Sequence, residues 1–298
     1  MMKGDASQTL SIVDGNNAFN IEQDQRRNKS YFKALQQSFS LIYLKHKWFD
    51  EKYWKLAFCS SSFDFINKYP NIFLLYRTVL FVLTIFDLVH GIVNTRPVHE
   101  WAIYYTHLTL LITFLAVVFQ FLIACRVNFY RGDNIVPRHS LQYIHIILIL
   151  ISLGSGLIVS LVYWLILHNS SIQLYYPKMF LDHGILWFLL FIDIFLFTRL
   201  PIYMIDCIPS IIFAIIYGIF TLIVFIFKSK FSNDRIGYVY RAFNLNNSPI
   251  RVLIQMFLLI FILPIGIMFI LWNIFRLRRS IHVEIPNDKE ESELTIIA

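Results

Sequence analysis

The stretch "FLDHGILWFLLFIDIFLF", residues 180–197, sets two aspartates and a histidine in a run otherwise made almost wholly of Leu, Ile, Phe and Trp. Its length decides the fold class. About six such residues would read as a buried strand, whereas an unbroken apolar run near ~20 residues reads as a helix crossing hydrocarbon. An aspartate at the centre of such a helix costs ~2.5–3.5 kcal/mol on insertion scales. Asp182, His183 and Asp193 are therefore expected either to hold helices together or to act on something.

The rest of the chain is of the same material. Of its 298 residues, 57% are hydrophobic and 15% charged. A soluble domain carries about 25% charge, so the bilayer is the expected solvent. The formal net charge is +7, yet the basic residues flank apolar spans and form no aromatic-interleaved patch. That arrangement suits anionic lipid and not nucleic acid. Cys59, Cys125 and Cys207 make neither a disulfide framework nor a metal spacing. Residues 1–70 carry no signal-peptide pattern, and no cofactor is implied.

Hydropathy predicts an all-α, polytopic bundle of six spans, at about 72–93, 101–125, 142–167, 179–199, 202–227 and 252–275. Spans four and five are parted only by Arg199-Leu200-Pro201. The Lys/Arg bias puts both termini in the cytoplasm. On that side fall Lys55 and Lys68, then Arg126, Arg131 and Arg138, then Arg199, and finally Arg276, Arg278 and Arg279. The last loop, with Lys228, Lys230, Arg235, Arg241 and Arg251, counts the other way. Both flanks of the first span decide the orientation, and the sequon Asn169-Ser170-Ser171 then falls outside. Around the six-span domain, 71–276, residues 1–30 read as a disordered cytoplasmic segment and 31–70 as an interfacial aromatic and basic one. Residues 277–298 form an acidic cytoplasmic tail.

Depth along each span follows from the rise of ~1.5 Å per residue. It gathers Asp87, His90, Thr106, His107, Thr109, Asp182, His183 and Gln255 into an outer layer contributed by four helices. A second, cytoplasmic layer holds Arg77, Gln120, His145, Asp193, Arg199 and Asp206. There the expectation is structural pairing of Asp193 or Asp206 with Arg77 or Arg199. Ser152, Gly156 and Ser160, four residues apart, predict a close-packing face. Pro209 and Pro264 predict helix kinks. The outer layer admits two chemistries, a Thr hydroxyl activated by a His base or a metal held by Asp87, His90, His107 and His183. No ligand-spacing motif supports the metal.

The chain resembles the rolling stone-like proteins of the wider androgen-induced membrane family. The resemblance is carried by "LYRTVLFVL" (75–83), "WAIYYTHLTLLITF" (101–114) and "YPKMFLDHGILWFLLFIDIFLFTRLPI" (176–202). The last loop, "IGYVYRAFNLNNSPIRVLI" (236–254), is similar to that family's Tyr-Val-Tyr-Pro, tryptophan, Asn-x-Pro pattern. Here Arg241 replaces the proline and the tryptophan is missing. The resemblance implies an exoplasmic last loop. Its androgen-induced branch implies an intramembrane hydrolase of fatty acid esters of hydroxy fatty acids, using a Thr and a His. Thr106 matches the threonine. The histidine is the second of a His-Gly-x-His run, and here that run is His183-Gly184-Ile185-Leu186, so Leu186 stands in its place. A leucine takes no proton. The rolling stone branch, the nearer of the two, implies a non-enzymatic membrane component, at the plasma membrane or endoplasmic reticulum, acting in cell differentiation or fusion. The hydrolase, with Thr106 and His183 as its pair and a lipid ester in the outer half of the bundle, is the alternative. A transporter is the third reading, disfavoured because no two spans show matched breaks or repeat symmetry.

Overall fold

A computed structural model of the chain describes residues 30–31, 33–39, 58, 69–95, 98–129, 139–167, 177–200, 202–229, 238–240, 244–246 and 248–281. Most of the predicted terminal segments, the Asn169 sequon, Cys59 and most of the last loop lie outside these residues. The chain divides into two units, Met1–Lys45 and His46–Ala298. In the first, residues 33–38 are helical and Ser38 Oγ donates to the Leu35 carbonyl at 2.6 Å.

The second unit is all-α among its described residues. It comprises α1 (Pro70–Asn94), α2 (Tyr105–Phe129), α3 (His139–Val162), α4, α5 (Ile208–Ile226) and α6. Helix α3 ends in a π turn, Tyr163–Leu167. Helix α4 is made of Pro177–Phe180, a π turn Leu181–Ile185, and Leu186–Leu196. Helix α6 is likewise Pro249–Phe257, a π turn Leu258–Ile262, and Leu263–Ile281. Five helices are long and apolar enough to cross a membrane: Asn71–Asn94, Tyr105–Phe129, Leu141–Leu165, Met204–Ile226 and Pro249–Arg278. The fourth predicted span is not among these five. Its uninterrupted α-helical run, Leu186–Leu196, counts 11 residues.

Local chemistry explains where the helices start and how they carry polar residues. Prolines open α1 and α6 at positions where the missing N–H is no loss. Pro209 occupies the first turn of α5, so it opens that helix where a kink was predicted. Pro264 stands two residues after the end of the π turn of α6, which absorbs the backbone irregularity that a mid-helix proline forces. Within the spans, hydroxyls bond back to their own helix: Thr84 to the Leu80 carbonyl at 2.6 Å, Ser152 to Leu148 at 2.7 Å, Thr198 to Ile194 at 2.7 Å. A hydroxyl satisfied in this way enters hydrocarbon without an orphaned donor.

Contacts near the helix ends give each helix its direction. Arg77, early in α1, reaches Asp193 late in α4 and Gln120 late in α2. Phe119 of α2 packs on His145, early in α3, with ring centroids 5.4 Å apart. Ser210, early in α5, donates to the Leu150 carbonyl of α3 at 3.0 Å, and Arg278, late in α6, reaches the end of α4. Consecutive helices therefore alternate in direction. The start of α1 and the end of α6 lie at the same end of the bundle.

Helix α3 is the centre. It packs on α2, α4, α5 and α6, and 56% of its most apolar stretch is buried, against 17% for α6. Its small residues permit the close approach. A Cβ on Gly156 would run into the Trp187 indole of α4, and one on Gly154 into the Ser210 hydroxyl of α5. Trp187 then donates to the Leu153 carbonyl at 2.7 Å. Gly156 was predicted as part of this face; Gly154, two residues before it, carries the second helix.

Candidate functional site

The two polar layers have different characters. At the end that holds the start of α1, Arg77 Nε donates to Asp193 Oδ1 at 2.9 Å, both side chains fully buried. Arg77 Nη1 also donates to the Gln120 carbonyl at 3.1 Å, and its guanidinium lies 3.9 Å from the centre of the Phe73 ring. His145 sits between the rings of Phe58 and Phe119. Of the pairings open at this level, Asp193 takes Arg77. Asp206 accepts from the Tyr203 backbone N–H at 2.8 Å and closes a capping box ahead of α5. One cation acts here that depth alone did not single out. Arg278, 4% exposed, donates through Nη1 to the carbonyls of Ile194, Phe195 and Thr198 and through Nη2 to that of Leu200.

The opposite end contains a cavity of about 360 Å³. It lies among the first turn of α2, the end of α3, the π turn of α4, the middle of α5 and the first half of α6, with Tyr240 from the last loop. All three π turns contribute to its wall: Tyr163 from α3, Asp182 and His183 from α4, Leu259 and Ile260 from α6. A π turn inserts one residue into a helix, re-aims the side chains beyond it and is frequent at functional sites. Three around one space make this the candidate site.

Its polar groups can be followed one by one. The backbone N–H of Tyr105, an orphan donor at the start of α2, donates to the Tyr240 hydroxyl at 3.1 Å. Thr106 and Tyr217 line the same wall. Withdrawal from water pushes the Tyr240 phenol up from its ordinary value, so it stays protonated. Tyr105 passes its own hydroxyl to Ser155 at 2.9 Å, and Tyr217 donates to the Ile103 carbonyl at 3.0 Å. His107 is set by a 2.8 Å hydrogen bond between Nδ1 and the Trp101 carbonyl, with its ring stacked on the indole. His183 stacks on Tyr163 with centroids 3.6 Å apart, and its carbonyl, in the widened turn, accepts from Trp164 Nε1 at 3.2 Å.

Of the predicted outer layer, Thr106, His107, Asp182 and His183 line this cavity, while Asp87, His90, Thr109 and Gln255 are not on its wall. Asp87 is fully buried and His90 packs against Phe86 at 5.8 Å. Gln255 is half-buried, one residue before the lining Met256. Thr106 and His183 share the cavity with Tyr240. Leu186 points elsewhere: it is 4% exposed in the main hydrophobic core. No group of three or more His, Cys, Asp or Glu side chains converges to hold a metal among the described residues. The tyrosines at positions 104, 105, 163, 217 and 240 went unselected in the sequence. The signal available there was the Tyr-Tyr pair directly before Thr106 and Tyr240 in the motif-bearing loop.

Fold and cavity together define a class: an all-α, multi-pass membrane protein with a ligand-sized space at one end of its bundle. No protein-family model matches the chain, and no curated protein or solved structure matches it.

Proposed function

We propose that this chain is a six-span integral membrane protein of the plasma membrane or endoplasmic reticulum, with cytoplasmic termini, that holds one membrane lipid in its cavity without cleaving it. In this reading it acts as a rolling stone-like component of cell differentiation or fusion. The cavity wall carries the proposal. Its volume falls in the range of small-ligand sites, and it combines apolar side chains such as Ile158, Val162 and Leu259 with a few convergent hydroxyls. Leu186, at the position of the hydrolase histidine, is buried in the core and presents no base to the cavity.

One observation favours the hydrolase as the second reading: Thr106 and His183 do share the cavity. A single preparation separates the two. Native mass spectrometry of the purified protein in lipid nanodiscs is expected to retain one lipid, and long-chain esters of hydroxy fatty acids are expected to persist unhydrolysed. Ester turnover by the wild type that disappears in Thr106→Ala would replace the binding reading with the enzymatic one.

The topology is tested by epitope tags at each terminus and within 228–251, probed on intact and permeabilised cells. The termini are expected to be reached only after permeabilisation, and the loop before it. The reverse pattern would invert the orientation.

A further inference from the structure

We infer that the cavity takes up one acyl chain of a bilayer lipid, which enters sideways through the seam between α5 and α6 and leaves its head group at the membrane surface. This rests on the binding reading above and adds which part of the lipid is held and by what route it arrives.

The seam is closed by side-chain ends alone. Gly218 of α5 and Met256 and Ile260 of α6 all line the cavity. A Cβ on Gly218 would stand 3.0 Å from Ile260 Cδ1 and 3.6 Å from Met256 Cε, so the missing side chain lets these two tips close over α5. Each of the three is one residue from a side chain on the outer, membrane-facing surface: Ile219 is 53% exposed, Phe257 54% and Phe261 37%. Along this line the cavity is one side chain away from hydrocarbon. A methionine thioether and an isoleucine methyl swing aside by rotation about single bonds, with the backbone in place. The other walls are fastened. Trp164 donates to the His183 carbonyl at 3.2 Å and Tyr163 stacks on the His183 ring, which ties α3 to α4. The start of α2 is tied to the last loop through the Tyr105 N–H and the Tyr240 hydroxyl. Among the described residues, the α5 side chains Ser210 and Tyr217 donate to α3 and to the stretch before α2, and no hydrogen bond joins α5 to α6.

Helix α6 is built to let that seam open. Its second half is anchored: Ile267, Met268, Leu271, Trp272 and Phe275 are buried, and Arg278 holds the end of α4. Its first half is not. In Pro249–Phe257 only Val252 is buried, and in the π turn Leu258–Ile262 no residue is. Between the halves the regular hydrogen-bond ladder is already interrupted by the π turn and by Pro264. A Cβ on Gly266 would meet nothing within 4 Å, so no neighbour braces the helix there. A small swing about this stretch lifts the first half of α6 away from Gly218. What the opening admits follows from the wall behind it. Ile158, Val159 and Val162 of α3 and Leu259 of α6 are apolar, and no Lys or Arg stands among the described lining residues to receive a phosphate. An acyl chain suits this space, while a phosphate-bearing head group finds no cationic partner in it.

The test uses the full chain in phosphatidylcholine vesicles doped with a phosphatidylcholine whose acyl chain ends in a photoactivatable diazirine. Labelled residues are mapped by mass spectrometry. Ile216 and Ile223, exposed on α5, report the surrounding bilayer, and the buried Ile158 and Val159 report the cavity. Both sets are expected to be labelled in the wild type. In a variant carrying Gly218→Cys and Met256→Cys, bridging the two thiols with a short, reducible cross-linker should abolish labelling at Ile158 and Val159 and spare Ile216 and Ile223. Reducing the bridge should restore the inner labelling in the same sample, which a misfolded variant would not do. The Gly218→Cys single variant, treated alike, should keep its inner labelling, so that reaction at Cys125 or Cys207 is not the cause. Gly218→Leu, which fills the seam, should lower the inner labelling without any cross-linker. Inner labelling that persists with the seam bridged would overturn this route and leave the lipid-binding reading standing. Wild type labelled at Ile216 and Ile223 but not at Ile158 or Val159 would overturn both.

Discussion

Replacing either Arg77 or Asp193 by leucine is expected to lower the stability of the detergent-solubilised protein by about 3–5 kcal/mol, and replacing both to restore most of the loss. Each side chain is fully buried, and the two meet at 2.9 Å between α1 and α4. Removing one leaves the other as an uncompensated charge in a site that water does not reach. Removing both leaves two apolar side chains in apolar surroundings. Recovery should stop short of complete, because Arg77 also donates to the Gln120 carbonyl and lies over the Phe73 ring. Thermal melting of the two single variants and the double variant forms a cycle that isolates the pair. Single variants that melt with the wild type, or a double variant worse than either, would show that the pair does not hold α1 to α4.

The contrast between the two polar layers explains what could be read from sequence. Depth follows from counting residues, and it correctly set Arg77, Gln120 and Asp193 at one level. Rotation about the helix axis does not follow from depth. Gln255 and the lining Met256 differ by one residue, about 100° of turn, which is enough to take Gln255 off the cavity wall. Asp87 and His90 share the level of Thr106 but belong to α1, which contributes nothing to that wall. The six apolar stretches were legible because length and hydropathy carry the signal. Their π turns were not, because the widened turn in residues 181–185 has no compositional mark. It is nonetheless what lets Asp182 and His183 flank one cavity while Leu186 turns into the core. Asp206, buried at that level, also has a local role. Its spacing from Tyr203 is the local pattern of a helix cap, and counting depth in a helix assumed to run from residue 202 obscured it.

Arg278→Leu is expected to cost about 2–4 kcal/mol and to loosen the α4–α5 connection, a stretch that packs far from the cavity. A helix leaves its last carbonyls without intrahelical donors. At the end of α4 these face protein, and one guanidinium satisfies the carbonyls of Ile194, Phe195, Thr198 and Leu200 at 2.8–3.2 Å. The same group lies over the rings of Phe275 and Phe195, with centroid distances of 4.8 and 5.6 Å. This explains why α6 continues to Ile281, past the predicted end of its span: the extra turn carries the arginine to the carbonyls it caps. Lysine brings the same charge with a single nitrogen and no planar fork, so Arg278→Lys should recover only part of the loss. Hydrogen exchange across residues 197–207 should rise in Arg278→Leu and fall back partway in the lysine variant, in parallel with melting. An arginine needed only as a cytoplasmic flanking charge would be replaced fully by lysine, and equal melting and exchange for Arg278→Lys and wild type would reduce Arg278 to that role.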